Sequence, residues 1–357
     1  MKPKVKSFLS NFFLGLFSND RAIEGSKTNP WWVCLIIALL AVLLPVLPIT
    51  ITQANSKGDD FLSGNVHRFD QNIAVLTVDL ANANKEFKVD ENKNLLYYEN
   101  NAVVQRDSTA EKSPVAAHIS RRNNGQVEQY ELLIYYADKT KAEIVSYIKE
   151  IDAITYKIGT IEATDENYEG TAYAPSYVVL FKQGIYTRIN QEDSTSLGNN
   201  TYTAYSSDWK YFKTSDGPFE LIKNALPNGK SVNEIDLNDT NDVKSIFTNW
   251  RGYYKKAYIS QRNYNTWMTT VVFYGIYAAL VFIMGLLIFL LTRGKANMFN
   301  YLKFIDTQKI VWWSCLAPAI LAMILGFIIP TFAQMAFIIL LGLRTMWMSM
   351  KQLRPQY

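Results

Sequence analysis

The sequence predicts an α+β domain carried by an all-α membrane region of four helices, and three observations predict it. Apolar residues gather into four blocks near the two ends of the chain, positive charge concentrates beside those blocks, and the long stretch between them alternates strand-like with helix-like patterns. The mean hydropathy of −0.05 averages over this unevenness and conceals it.

The first block, WWVCLIIALLAVLLPVLPITIT, covers residues 31–52 with no charged side chain. A hydrocarbon core needs ~20 such residues, so the block reads as a membrane span. A cleaved signal peptide is the alternative, with Thr52-Gln53-Ala54 as its site, but the apolar stretch is too long for one and an uncleaved anchor is expected. The second block covers 267–292, the third 310–329 and the fourth 331–350, with Pro330 expected to turn a hairpin between the last two.

Charge sets the expected orientation. Residues 1–30, residues 293–309 and the C-terminal cations Arg344, Lys351 and Arg354 together hold 12 basic and 3 acidic residues, against 24 basic and 29 acidic in residues 53–266. Basic loops stay on the cytoplasmic side, so both termini and the 293–309 loop are expected inside the cell and residues 53–266 outside. The expected localisation is therefore the cell membrane, crossed several times. Cys34 and Cys315 both fall near span ends, and the exported region has no cysteine to form a disulfide.

Before the first span, KVKSFLSNFFLGLF places Val5, Phe8, Leu9, Phe12, Phe13 and Leu16 at helical spacing opposite Lys6, Ser7, Ser10 and Asn11. This pattern is read as an interfacial helix on the inner leaflet, with a helix packed on the cytoplasmic ends of the spans as the alternative.

Within the exported region, from about Gly64 to about Leu237, strands are expected at Ile73–Leu80, Asn94–Tyr98, Tyr130–Tyr136 and Ser176–Phe181, which are rich in β-branched and aromatic residues. Asn123-Asn124-Gly125 is expected to turn a hairpin. Thr140 with Glu143 fits a capping box opening a helix that ends near Ala153.

Residues 241–266 are expected to form a membrane-proximal amphipathic helix running toward the second span, with Val243, Ile246, Phe247, Trp250, Tyr254, Ala257 and Tyr258 as its apolar stripe; whether it ends before the span or continues into it is left open by the sequence. Its stretch NWRGYYKKAYISQRNYNTW interleaves cations with aromatics, a composition that serves either single-stranded nucleic acid or a lipid headgroup layer. Because it lies outside the cell, no nucleic acid partner is expected. Trp250, Tyr253, Tyr254, Lys255, Lys256, Tyr258, Arg262, Tyr264 and Trp267 are assigned to the membrane interface. Arg344, about one and a half turns from the end of the fourth span, joins them by snorkelling to the headgroups.

Chemistry is harder to place. His67 and His118 stand apart from any cysteine or carboxylate cluster with metal-ligand spacing, and no serine-hydrolase elbow, zinc-protease or phosphate-loop motif occurs. Asp59-Asp60, Asp165-Glu166 and Glu192-Asp193 are acidic pairs of a common kind. Asp236, Asn238, Thr240 and Asp242 alternate as in a calcium loop but lack its glycine and closing glutamate, so a helix-capping cluster is expected instead. Asn199 and Asn238 begin glycosylation triplets. No catalytic, metal or cofactor site is expected. The spans hold no Asp, Glu, Lys or His, which disfavours ion-coupled transport, and Gln334, Pro45, Pro48 and Pro318 are assigned to packing and kinking. The expected partners are the lipid bilayer and a membrane or envelope protein. A membrane-embedded enzyme or a subunit of a small-solute transporter is the alternative.

The segments KVKSFLSNFFLGLFSNDRAIEGSKTNPWW and YLKFIDTQKIVWWSCLAPAILAMILGF, with the closing RTMWMSMKQLRP, cover about a third of the chain. They resemble the terminal segments of a family of bacterial membrane proteins, best represented in Firmicutes, some of which are described as maltodextrin-utilisation proteins. The resemblance implies a multi-span membrane protein with a sugar link by gene neighbourhood rather than by mechanism, and it carries over no catalytic residue. With the lack of catalytic motifs, the expected role is a non-enzymatic membrane protein whose exported domain binds or senses an envelope partner, accessory to sugar uptake.

Overall fold

The computed structural model describes residues 3–59, 62, 68–122, 127–163, 174–190, 202–293 and 297–353. The elements begin with α1 (Pro3–Phe17), α2 (Asn19–Thr28), α3 (Trp31–Ala54) and α4 (Phe69–Asn82), followed by strands β1 (Lys85–Val89), β2 (Leu95–Glu99), β3 (Ala102–Val103), β4 (Ala116–Arg122) and β5 (Val127–Ala137). Helix α5 (Ile144–Ala163) precedes β6 (Ser176–Phe181), β7 (Gly184–Asn190), β8 (Tyr202–Asp208) and β9 (Phe219–Glu220). Helices α6 (Leu221–Ala225), α7 (Thr240–Leu291), α8 (Phe304–Ser314), α9 (Leu316–Ile328) and α10 (Pro330–Lys351) complete the order. The chain divides into a helical unit, Met1–Ser56 with Asn263–Tyr357, and an α+β unit, Lys57–Arg262.

The α+β unit holds two sheets, one ordered β3-β2-β1-β9 and one ordered β4-β5-β6-β7-β8. In the larger sheet β5 and β6 run parallel, from Leu132 opposite Ser176 to Ala137 opposite Phe181, and α5 makes the crossover between them. Parallel neighbours need such a crossover and need both faces covered. The side chains comply by strict alternation. Leu132, Ile134, Tyr136, Val178 and Leu180 enter the main core with α4, α6 and the start of α7, whereas Leu133, Tyr135, Ala137, Tyr177, Val179 and Phe181 pack beneath Ile144, Tyr147 and Ile151 of α5.

Residues 73–80, expected as a strand, belong instead to helix α4. Ile73, Val75, Thr77 and Val78 supply the β-branched character, but Phe69, Ile73, Leu76 and Leu80 recur at spacings of four and three, and all four are buried on one face. The strands expected at 94–98, 130–136 and 176–181 are present as β2, part of β5 and β6. Only half of the expected capping box is present: Thr140 N–H donates to Glu143 Oε2 at 2.9 Å, but the Thr140 hydroxyl donates to the same oxygen at 2.7 Å and leaves Glu143 N–H to the Thr140 carbonyl at 3.2 Å. Helix α5 then runs to Ala163 rather than ending near Ala153. The expected turn at 123–125 lies outside the described residues.

Among the described residues, three helical stretches are long and apolar enough to cross a membrane: Trp31–Ala54, Thr240–Leu291 and Phe304–Ile328. The third begins six residues before the expected 310 and is broken at Cys315. Pro318 explains the break, since it has no N–H to donate to the Ser314 carbonyl one turn back. The helix expected at 241–266 and the span expected at 267–292 form one element, α7, of 52 residues. Pro330 does separate two helices, standing at the first position of α10, where its missing N–H costs nothing. Among these helices α3 packs on α8, α9 and α10, and α2 packs on α1 and α8. Gly25 of α2 permits the last contact, because a Cβ there would fall 2.5 Å from the Trp313 ring.

Gly184 makes a comparable close approach in the sheet: a Cβ at this position would meet the Ser207 carbonyl oxygen at 1.9 Å, a backbone atom that cannot swing aside. Gly184→Ala is expected to destabilise the α+β unit by about 3 kcal/mol or more, by overpacking. Denaturant unfolding followed by circular dichroism measures this, and a midpoint equal to that of the parent would contradict the β7–β8 register.

Candidate functional site

Among the described residues of the α+β unit, a groove of about 450 Å³ lies between α5 and the β7–β8 edge of the larger sheet. Its floor is Phe181, Ile144 and Ile148, and Val145 stands 57% exposed at its mouth. Charged and polar groups ring this apolar floor. Lys141 Nζ meets Asp208 Oδ2 at 2.9 Å, its backbone N–H donates to Gln183 Oε1 at 2.9 Å, and Lys149 and Ser206 complete the rim.

Polar contacts on both sides hold α5 in place over the sheet. Asp152 on α5 pairs with Arg188 of β7 at 2.5 Å and accepts the Tyr177 hydroxyl, and burial together with that bond raises the Tyr177 phenol well above its ordinary range. At its other end Tyr147 donates to the Glu111 carbonyl at 2.6 Å, while the buried Glu111 carboxylate accepts Asp138 N–H at 2.9 Å and meets Lys139 at 3.0 Å. An apolar floor with a few fixed polar groups is the usual make-up of a ligand groove. Ser206 and Ser207 stand on β8, while His118 is on β4 at the opposite edge of the same sheet, so the groove assembles no serine–histidine pair.

His118 itself sits at a β-bulge. It faces Leu132 while its neighbour Ile119 faces Tyr130, which leaves Glu131 as the extra residue of β5. Glu131 is buried and accepts the Ser120 hydroxyl at 2.5 Å. Burial lowers the His118 imidazole below its ordinary value, against the opposing pull of Glu131 and Asp79. Among the described residues no group of three or more His, Cys, Asp or Glu is arranged to hold a metal. In the calcium-like segment Asp242 turns to Lys230 Nζ at 2.6 Å and to Asp236 N–H at 3.0 Å, and Asp236 and Asp239 bond within their own turns. His67, Asp60, Asp165, Glu166, Glu192, Asp193 and Asn199 lie outside the described residues.

The residues assigned to a membrane interface separate into two sets. Trp250, Tyr253 and Tyr254 are core residues, which corrects their assignment: all three are at most 5% exposed. Trp250 Nε1 donates to Thr77 Oγ1 at 2.9 Å, Tyr253 donates to the Leu221 carbonyl at 2.9 Å, and Tyr254 shares a 2.9 Å hydrogen bond with Thr187. Tyr258 is half-buried against the same core. Lys255 stands 3.4 Å from Asp59 Oδ2, which Arg251 also holds, and Lys256 lies 5.5 Å from the Phe219 ring centre. Arg262 is half-buried, and Tyr264 and Trp267 are 59% and 67% exposed. Arg344 does not reach outward: its guanidinium donates to the Gly15 carbonyl and to Asn19 Oδ1 at 3.1 Å, tying α10 to the junction of α1 and α2. The α5 groove and the Asp59 pairing escaped the sequence reading because their members are far apart in the chain.

Comparison of the chain with protein-family models, with curated proteins and with solved structures finds no match.

The sign of the His118 effect is fixed by its lowered value. As pH falls, the unfolded chain binds the proton first, so stability due to neutral His118 is complete above ~6.5 and is lost below it, until the folded imidazole also protonates. Unfolding midpoints between pH 7.5 and 5 should decline in the parent and decline less in His118→Gln; identical slopes would remove His118 from the account.

Proposed function

We propose that the chain is a multi-pass membrane protein whose α+β unit lies outside the cell and binds an envelope partner in the α5 groove. The observation that carries the reading is the groove itself, whose exposed Val145 and buried Phe181 offer an apolar seat while the Lys141–Asp208 pair at its rim orients a ligand. Its shape suits an amphiphilic or extended ligand with an apolar part and hydrogen-bonding ends.

The membrane reading draws on the three apolar helices; the expected fourth span, residues 331–350 within α10, is part of the proposal and would give a topology with both termini inside. Only 22% of the most apolar window of α7 is buried, against 50% in the other two, so α7 presents most of its span to lipid. The family resemblance adds an accessory role in maltodextrin uptake; a deletion strain should then grow slowly on maltodextrin and normally on glucose.

Topology is tested by thiol labelling of intact cells. Cys34 and Cys315 are buried, so labelling reports an added cysteine. A cysteine at exposed Asn228 should react with an impermeant maleimide and one at exposed Asn300 should not; the reverse pattern overturns the orientation. For the groove, a photocrosslinker at Val145 should capture a discrete envelope component in the native host. Val145→Arg together with Ile148→Arg should abolish that product while leaving the melting temperature within a few degrees. A product equally strong in the double variant would place binding elsewhere.

A further inference from the structure

A second cavity, of about 280 Å³, lies within the helical unit between the last turn of α2, the segment before α8 and the first turns of α8. Lys27 and Lys309 line it, with Ser26, Tyr301 and Asp306. Neither lysine meets a carboxylate among the described residues, although Asp306 shares the cavity. One oxygen of Asp306 is committed to capping α8, where it accepts Lys303 N–H at 3.0 Å. Two ammonium groups against one carboxylate leave the cavity with a single net positive charge, which matches a singly charged phosphodiester better than a free phosphate carrying nearly two.

The surroundings place this charge at a lipid surface. Trp31 and Trp32, four and five residues beyond Lys27 at the start of the α3 span, are each 54% exposed, and Tyr301 is 63% exposed at the cavity mouth. Exposed Trp and Tyr at the end of an apolar helix settle at headgroup depth. Beside them Phe304 and Ile305 expose apolar surface suited to acyl chains. We propose that this cavity binds the headgroup of an anionic glycerophospholipid, its phosphodiester between Lys27 and Lys309 and its headgroup hydroxyls donating to Asp306. Basic pockets between helices at a membrane surface commonly hold such headgroups.

The inference rests on the membrane reading of the helical unit, and alkaline extraction of membranes tests that reading by itself: release of the chain refutes the reading, whatever the cavity binds. The cavity is tested with the full chain in detergent, by native mass spectrometry during titration with phosphatidylglycerol or phosphatidylcholine. Phosphatidylglycerol should bind at least about five-fold more tightly. Lys27→Gln and Lys309→Gln should each weaken it about five-fold and together about thirty-fold, as for lysines close to a lipid phosphate. Lys351→Gln, on α10 and outside the cavity lining, its Nζ 4.4 Å from the Trp347 ring centre, should leave it unchanged. Because Lys27 is exposed, its single variant keeps the parent fold, and an unchanged melting temperature checks this.

Equal binding of the two lipids overturns the proposal, as does an undiminished affinity in the lysine variants. A loss in Lys351→Gln as large as in Lys27→Gln overturns it in favour of diffuse attraction. Displacement of phosphatidylglycerol by millimolar inorganic phosphate overturns it in favour of a free-phosphate site.

Discussion

The parallel pairing of β5 with β6 constrains everything else in the α+β unit. Two parallel strands leave no short way home for the chain, so α5 must cross one face, and neither face of the pair can meet water because every residue from Leu132 to Ala137 is apolar. The second face therefore recruits α4, α6 and the start of α7, whose Trp250 and Tyr254 are buried against the same core as Ile134 and Val178. Antiparallel strands β4, β7 and β8 extend the pair outward. The α5 groove exists because the helix must cover the central strands and has less to cover at the β8 edge, where the sheet outruns it.

Local signals are legible in the sequence, and pairings between distant positions are not. Thr140 and Glu143 are three residues apart, and the bond from Thr140 N–H to the Glu143 carboxylate is legible as a spacing. The strands at 95–99 and 176–181 announced themselves by composition. Residues 73–80 misled because β-branched content and helical periodicity coexist there, and periodicity, which decides what is buried, prevailed over propensity. The Lys141–Asp208 pair joins positions 67 residues apart, and Asp59 meets Arg251 across 192, so no pattern along the chain could have revealed either. The candidate groove was invisible for the same reason.

The aromatic-basic stretch around residue 250 shows how composition and placement come apart. Trp250, Tyr254 and Ala257 recur at helical spacing and are fully buried, whereas Lys255 and Lys256 lie on the exposed side of the same turns. Cations and rings that alternate in sequence therefore do not form one mixed surface. The rings stabilise the unit from within, and beyond Arg262 the exposed Tyr264 and Trp267 change the character of the stretch. The Asp59 carboxylate, 1% exposed and held by Arg251 and Lys255, spends part of this positive charge on an internal contact.

The bond from Arg344 to the turn between α1 and α2 has a consequence for how the chain is made. The helical unit is interrupted by the 206 residues of Lys57–Arg262, and its first two helices rest on α8 and α9 and are tied to α10, all encoded after that interruption. Residues that leave the ribosome first thus wait for partners that leave it last, while the α+β unit, a single continuous segment Lys57–Arg262, has its whole sequence available earlier. Loss of the final helix would leave Gly15 and Asn19 without their guanidinium donor, so a chain cut short near its C-terminus is marked as incomplete at its N-terminus.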